Sequence, residues 1–161
     1  MARTIAAGFT VVAVLALAQV RVDRSESGAQ ASAIGTLRAI SSAQSAYAVV
    51  NGGYARSLET LSEACRAGSS AFLSPDISTD PTVKHGYEIR LDPAPPAAAS
   101  RPDCHGQPTA PAYYATAVPV QRSTAATRAF AVDQNQVIWY SDTGVAPTPP
   151  FHETSTVRPL R

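Results

Sequence analysis

With 161 residues and 45% apolar content, the chain has room for one domain with a hydrophobic core once a leader and a tail are set aside. The net charge is +1 and the 13 Lys and Arg are scattered, which excludes the clustered cationic footprint of a nucleic-acid-binding protein. Thirteen prolines concentrate after Pro93, so loop and tail dominate the second half.

In chain order, Arg3 supplies a positive n-region, Ile5 to Ala18 an apolar run, and Ala16-Leu17-Ala18 a small-residue cleavage pattern with Gln19 as the new N-terminus. These are the physical features of a secretory signal peptide. Two other readings stand beside it. An uncleaved anchor is one, although the run falls short of the about 20 apolar residues that a spanning helix needs. A buried core helix is the other, and the lack of polar periodicity counts against it. Arg21, Asp23, Arg24 and Glu26 then form a collar whose charges cancel.

From Ser25 to Val50 there is no proline. Ala33, Leu37, Ile40 and Tyr47 recur at helical spacing, with Gln30, Ser32, Thr36 and Ser42 on the other side. This predicts one long helix with a narrow, Ala-rich buried face that Asn51-Gly52-Gly53 terminates. A second short helix is predicted after Ser57, an N-cap, with Glu59 in its first turn and Leu58, Leu61 and Ala64 on one side, ending near Gly68. Ser74 to Pro81 reads as loop.

The remainder predicts a small antiparallel sheet. Gly86 to Leu91 alternates Tyr87, Ile89 and Leu91 against Glu88 and Arg90, with His85 opening the strand. Pro93 to Pro111 reads as structureless apart from Cys104. Tyr113 to Val120 reads as a further strand. Arg128 to Val132 and Gln136 to Tyr140 read as a hairpin around Asp133-Gln134-Asn135. The domain assignment is a leader or short anchor over 1–18, a helix-plus-sheet domain over 19–142, and a Pro-rich mobile tail over 143–161.

The two cysteines, Cys65 and Cys104, predict a disulfide in an exported chain, closing a loop of about 40 residues. His105 adjoins Cys104, but two Cys and one neighbouring His at this spacing match no zinc pattern, so the disulfide is favoured over a metal.

Taken in order, these parts resemble the type IV pilin-like proteins, including the major pseudopilins of type II secretion. The resemblance rests on Ala33 to Tyr47, on Asn51-Gly52-Gly53-Tyr54, on Ser57-Leu58, on His85-Gly86-Tyr87, and on Arg128 to Asp133 with Val137-Ile138. It covers residues 29–142. It implies an α+β fold, with a long N-terminal helix packed on a three- to four-stranded antiparallel sheet and a short helix between. It also implies a non-enzymatic structural subunit or accessory component of a type II secretion or type IV pilus-type apparatus. Its partners would be proteins met through the N-terminal helix, self-assembly included, with inner-membrane contact and no cofactor. Gly8-Phe9-Thr10 is similar to a prepilin processing site. The fifth mature position, where the family carries a glutamate, is Ala13, so the usual neutralisation of a neighbouring subunit's terminal amine is missing.

Enzymatic signatures are sparse. His85, His105 and His152 lie far apart in sequence, and there is no metal-binding His or Cys pair, no nucleophile elbow and no phosphate loop. Asp133 and Asp142 read as turn residues, since they lack the dense oxygen-ligand spacing of a calcium loop. Tyr113, Tyr114, Trp139 and Tyr140 read as core or cross-strand pairs in preference to a stacking surface for a ligand. The chain is expected in the exported bacterial cell envelope: periplasmic, inner-membrane anchored or secreted. Two alternatives stand: a soluble periplasmic or secreted binding domain on the same fold, and, more weakly, a small secreted hydrolase.

Overall fold

The structure, a computed structural model, describes residues 8–94, 101–121 and 128–161, with side chains from Ser27 onward. It is α+β. Helix α1 (Gly8–Asn51) is followed by the single-turn helix α2 (Leu58–Ser62), a 3-10 turn (Pro75–Ile77) and six strands: β1 (Thr82–Lys84), β2 (Tyr87–Pro93), β3 (Tyr113–Pro119), β4 (Ala129–Asp133), β5 (Trp139–Ser141) and β6 (Val157–Pro159). The strands form one antiparallel sheet in sequence order, β1-β2-β3-β4-β5-β6.

The helical spacing of Ala33, Leu37, Ile40 and Tyr47 is the spacing the fold uses, although Thr36, expected on the other side, is buried as well. Ala33, Leu37, Ile40, Ala43 and Tyr47 are buried along one side of α1, while Ala31, Gly35, Arg38, Ala39, Ser42 and Ala46 are exposed on the other. Opposite the buried stripe lie Tyr87, Ile89 and Leu91 of β2, Tyr113, Ala115 and Ala117 of β3, and Phe130 and Val132 of β4. The two alanines of β3 keep the central strand low, so the helix backbone comes close to the sheet. Each large side chain taken fully from water, such as Leu37, Ile40 or Phe130, contributes about 1.5–3 kcal/mol. Gly52 ends α1 in the left-handed region at φ 76°, with its N–H bonded to the Ala48 carbonyl. Ser57 caps α2 by accepting from the Thr60 amide, and the helix closes at Ser62, short of the expected end near Gly68.

The sheet has six strands, two more than the upper count drawn from the sequence. Both additions, β1 and β6, are three residues long, too short to display a period of two. His85 does not open a strand. It sits with Gly86 in the two-residue turn between β1 and β2, at φ 49° and 82°, the pair of positive angles that a tight hairpin requires. The stretch read as a Pro-rich tail supplies β6, which pairs with β5, and the Leu160 amide bonds the Ile138 carbonyl beyond it. Pro159 is tolerated there because β6 is an edge strand.

That same stretch covers the second face of the sheet over β3 to β5. Thr116, Ala129, Ala131 and Ser141 alternate with the core-facing residues and are nonetheless buried. Over this face Phe151 stacks on Trp139, ring centroids 5.5 Å apart, and lies 6.3 Å from the Tyr114 ring. The Tyr114 hydroxyl donates to the Pro147 carbonyl, and burial pushes its pKa up to about 12. Over β3 to β5 the sheet is therefore covered on both faces, by a helix on one and a chain strap on the other, while Arg90 and Asp92 leave the second face of β2 exposed.

Candidate functional site

Among the described residues a dense polar construction lies where α1 ends. Tyr47 and Asn51 fall one turn apart on the buried side of the helix and reach the segment 101–110, which Cys104 joins to Cys65 through a disulfide with Cα atoms 5.4 Å apart. The Asn51 Oδ1 accepts from the Cys104 amide at 2.9 Å, and its Nδ2 donates to the Tyr47 carbonyl at 3.2 Å. The Tyr47 hydroxyl donates to Asp103 Oδ2 at 2.5 Å, and Asp103 Oδ1 accepts from the His105 and Gln107 amides, each at 2.8 Å. Tyr54 and Ala110 exchange backbone hydrogen bonds at 2.8 Å in both directions. The segment expected to be structureless is thus pinned at four places: to Tyr47, to Asn51, to Cys65 and to Tyr54.

Electrostatics follow from this packing. Burial, then the hydrogen bond and negative charge of Asp103, drive the Tyr47 phenol well above its ordinary value. For Asp103 burial alone would raise the carboxyl, but the Tyr47 hydroxyl and the Gln107 and His105 amides outweigh it and the net shift is downward. Such a group stabilises the fold above the ordinary Asp range, and that stabilisation is lost as pH falls through its lowered folded value. Acid unfolding followed by circular dichroism should therefore show stability declining below the ordinary Asp value. The decline should be shallower in Asp103→Asn, which carries no titrating carboxyl there.

Gly53 is required by close approach. A Cβ at this position would stand 2.4 Å from Thr109 Oγ1 and 2.6 Å from Thr109 Cβ. Gly53→Ala should cost about 1–3 kcal/mol in denaturant unfolding, the range for overpacking a fitted contact. Gly53→Ala combined with Thr109→Ala should recover part of it.

Beside the disulfide, Val49, Val50, Arg66, Phe72 and Arg101 line an open groove. Val49 is 87% and Val50 62% exposed, and with the small exposed residues of α1 they give that side of the helix a mixed apolar and polar surface. A second groove, between the β4–β5 turn and the strap, is lined by Gln134, Asn135, Trp139, Pro150 and Phe151.

The residues singled out in the sequence fall as follows. Cys65 and Cys104 are joined. His85 borders a groove between α1 and the β1–β2 turn, next to the Lys84–Asp76 ion pair. His105 stands beside the disulfide with its Nε2 3.9 Å from Glu63, and His152 borders a groove formed within the strap. Asp133 is buried in the β4–β5 turn, accepting from the Asn135 amide, while Asp142 pairs with Arg128 at 2.9 Å. Of the aromatic residues, Tyr113 is core; Tyr114 and Trp139 lie under the strap, and Tyr140 carries the Arg128 guanidinium 4.5 Å above its ring. The side chains at Gly8, Phe9, Ala13, Ala18 and Gln19 lie outside the described residues, as does the charged collar. Among the described residues no helix is long and apolar enough to cross a membrane.

Gln44 was not singled out from the sequence and is central. It is fully buried, donates through Nε2 to the Ala55 carbonyl at 3.0 Å and accepts the Ala55 amide at 2.9 Å. Its signal was positional: Leu37, Ile40, Gln44, Tyr47 and Asn51 follow one another by three or four, so two carboxamides sit on the face that enters the core. No family model, curated protein or solved structure matches the chain.

Proposed function

We propose that the chain is a non-enzymatic, pilin-like protein of the bacterial cell envelope, a structural subunit or accessory component of a type II secretion or type IV pilus-type apparatus. The observation that carries this reading is α1. It is a single helix of 44 residues, about 66 Å long at 1.5 Å per residue, and among the residues whose side chains are described it packs on the core from Ala29 onward. Such a helix acts as a stalk that presents the sheet domain. Its work is mechanical: contacts made along the stalk and by the exposed side of α1 hold neighbouring proteins in register. The motif order from Ala33 through Val137-Ile138 supports the same reading.

A second reading, an exported binding domain on the same fold, is favoured by the aromatic groove at Trp139 and Phe151. Intact-mass analysis and N-terminal sequencing of the mature protein separate the two. A methylated amine on Phe9 in a membrane fraction is the result expected of an envelope subunit. A start at Gln19 with no membrane-associated protein would sink the subunit reading and leave the binding domain.

A further inference from the structure

We propose that the loop joined by disulfide at the end of α1 holds a zinc ion when that disulfide is reduced, with Cys65, Cys104, His105 and Glu63 as the four ligands. The donor atoms of Cys65, Cys104 and His105 all lie within 4.8 Å of one another. The Glu63 Oε2 lies 3.9 Å from His105 Nε2. Tetrahedral zinc takes sulfur at about 2.3 Å and nitrogen or carboxylate oxygen at about 2.0–2.2 Å, which spaces neighbouring ligand atoms by roughly 3.5 Å. Once the S–S bond is broken, the two sulfurs part toward such a distance, and Glu63, which lies near His105 but outside the cluster of the other three donors, turns in to complete the set. His105 and Glu63 are on the surface, so their side chains are free to turn toward it.

The backbone of Cys104 and His105 is held without the disulfide. The Cys104 amide is fixed by Asn51 and the His105 amide by Asp103, which is itself held by Tyr47. Asn51 also points its Nδ2 at Cys65 Sγ from 4.0 Å, a donor of the kind that supports a sulfur ligand from its outer shell. Two residues that anchor the loop thus double as the outer shell that a metal site needs.

The chemistry balances in two steps. A dithiol reductant supplies two electrons and two protons, is itself oxidised to a disulfide, and converts Cys65–Cys104 to two thiols. Zinc then binds both sulfurs and displaces the two protons to solvent. In the reverse step a disulfide oxidant takes two electrons from the bound thiolates and two protons from solvent, becoming a dithiol, while the Cys65–Cys104 bond reforms and the ion is released. The corner is closed by a covalent bond in an oxidising compartment and by a metal in a reducing one. This proposal is independent of the pilin-like reading and does not change if that reading fails.

The test uses the full chain, reduced with a phosphine under anaerobic conditions and titrated with cobalt(II) as a coloured zinc substitute. The expected result is uptake of one equivalent, with the visible absorption of tetrahedral cobalt and a near-ultraviolet thiolate charge-transfer band, both abolished by added zinc. The oxidised chain should show neither band. With both cysteines intact, His105→Ala and Glu63→Gln should each weaken binding by at least tenfold. A reduced wild-type chain that takes up no cobalt, folded or unfolded, overturns the proposal. So does unchanged affinity in both variants, which would mean that the two thiols act as a simple chelator.

Discussion

Replacing Cys65 and Cys104 together by serine should lower the unfolding free energy by about 4 kcal/mol, the loop entropy returned to the unfolded chain when a link across 39 positions is removed. Against a typical total of about 5–15 kcal/mol this is a large fraction, but it leaves the chain folded. The native loop itself should persist. The Asn51, Tyr47 and Ala110 contacts that hold it are all non-covalent and survive the substitution. Denaturant unfolding should show a lower midpoint for Cys65→Ser with Cys104→Ser, while the far-ultraviolet circular dichroism of the native state stays that of the oxidised protein. A loss under about 1 kcal/mol would mean that the unfolded chain is already restricted near these residues. A loss of native signal would mean that the disulfide is what holds the loop on α1.

The second large effect is expected at Gln44. Its amide links the middle of α1 to the backbone of Ala55 and answers both the N–H and the carbonyl of that residue. Gln44→Leu keeps the volume but strands two buried backbone groups, each worth about 1–3 kcal/mol unsatisfied, so a total loss of about 2–5 kcal/mol is expected. Gln44→Glu gives a sharper check. An ionised carboxylate accepts from the Ala55 amide but repels its carbonyl, whereas the protonated form can donate to it. The folded pKa of that glutamate is then raised. The variant should be most stable below the ordinary Glu value and lose stability as pH rises through the raised one, the opposite slope to that set by Asp103. Equal stability of Gln44→Leu and wild type would show that the Ala55 backbone finds other partners.

The helix and the central strands were legible because burial there is one-sided and periodic. Leu37, Ile40 and Tyr47 mark a 3.6-residue period, and Tyr87, Ile89 and Leu91 a two-residue one, so each pattern names its own element. β4 was visible as a continuous apolar run, since Ala129 to Asp133 are buried on both faces. The edge strands were illegible for the same physical reason inverted. Three residues such as Thr82-Val83-Lys84 or Val157-Arg158-Pro159 carry no period, and Val83 is 64% exposed. The strap was hidden by its prolines, which argue locally for loop. What brings it onto the sheet is the partnership of Phe151 with Trp139 and Tyr114, contacts between residues distant in sequence. At the loop corner, Cys65 with Cys104 was readable from an even cysteine count. Asn51 marks a helix stop in the local sequence, while its grip on Cys104 depends on a contact 53 residues away that no local pattern encodes.

The order of the sheet carries a consequence for how the chain comes together. Strands β1 to β6 lie side by side in the order in which they are made, so every strand after the first finds its partner in the one before it. A chain delivered from its N-terminus, on a ribosome or through a pore, can therefore add each strand to a finished edge without waiting for a later segment. The helix that forms the floor of the core comes first, both cysteines precede β3, and the strap that closes the second face comes last. Delivery and assembly run in one direction. At each stage the exposed hydrogen-bonding edge is the next strand's seat, which shortens the time during which an unpaired edge can meet another chain.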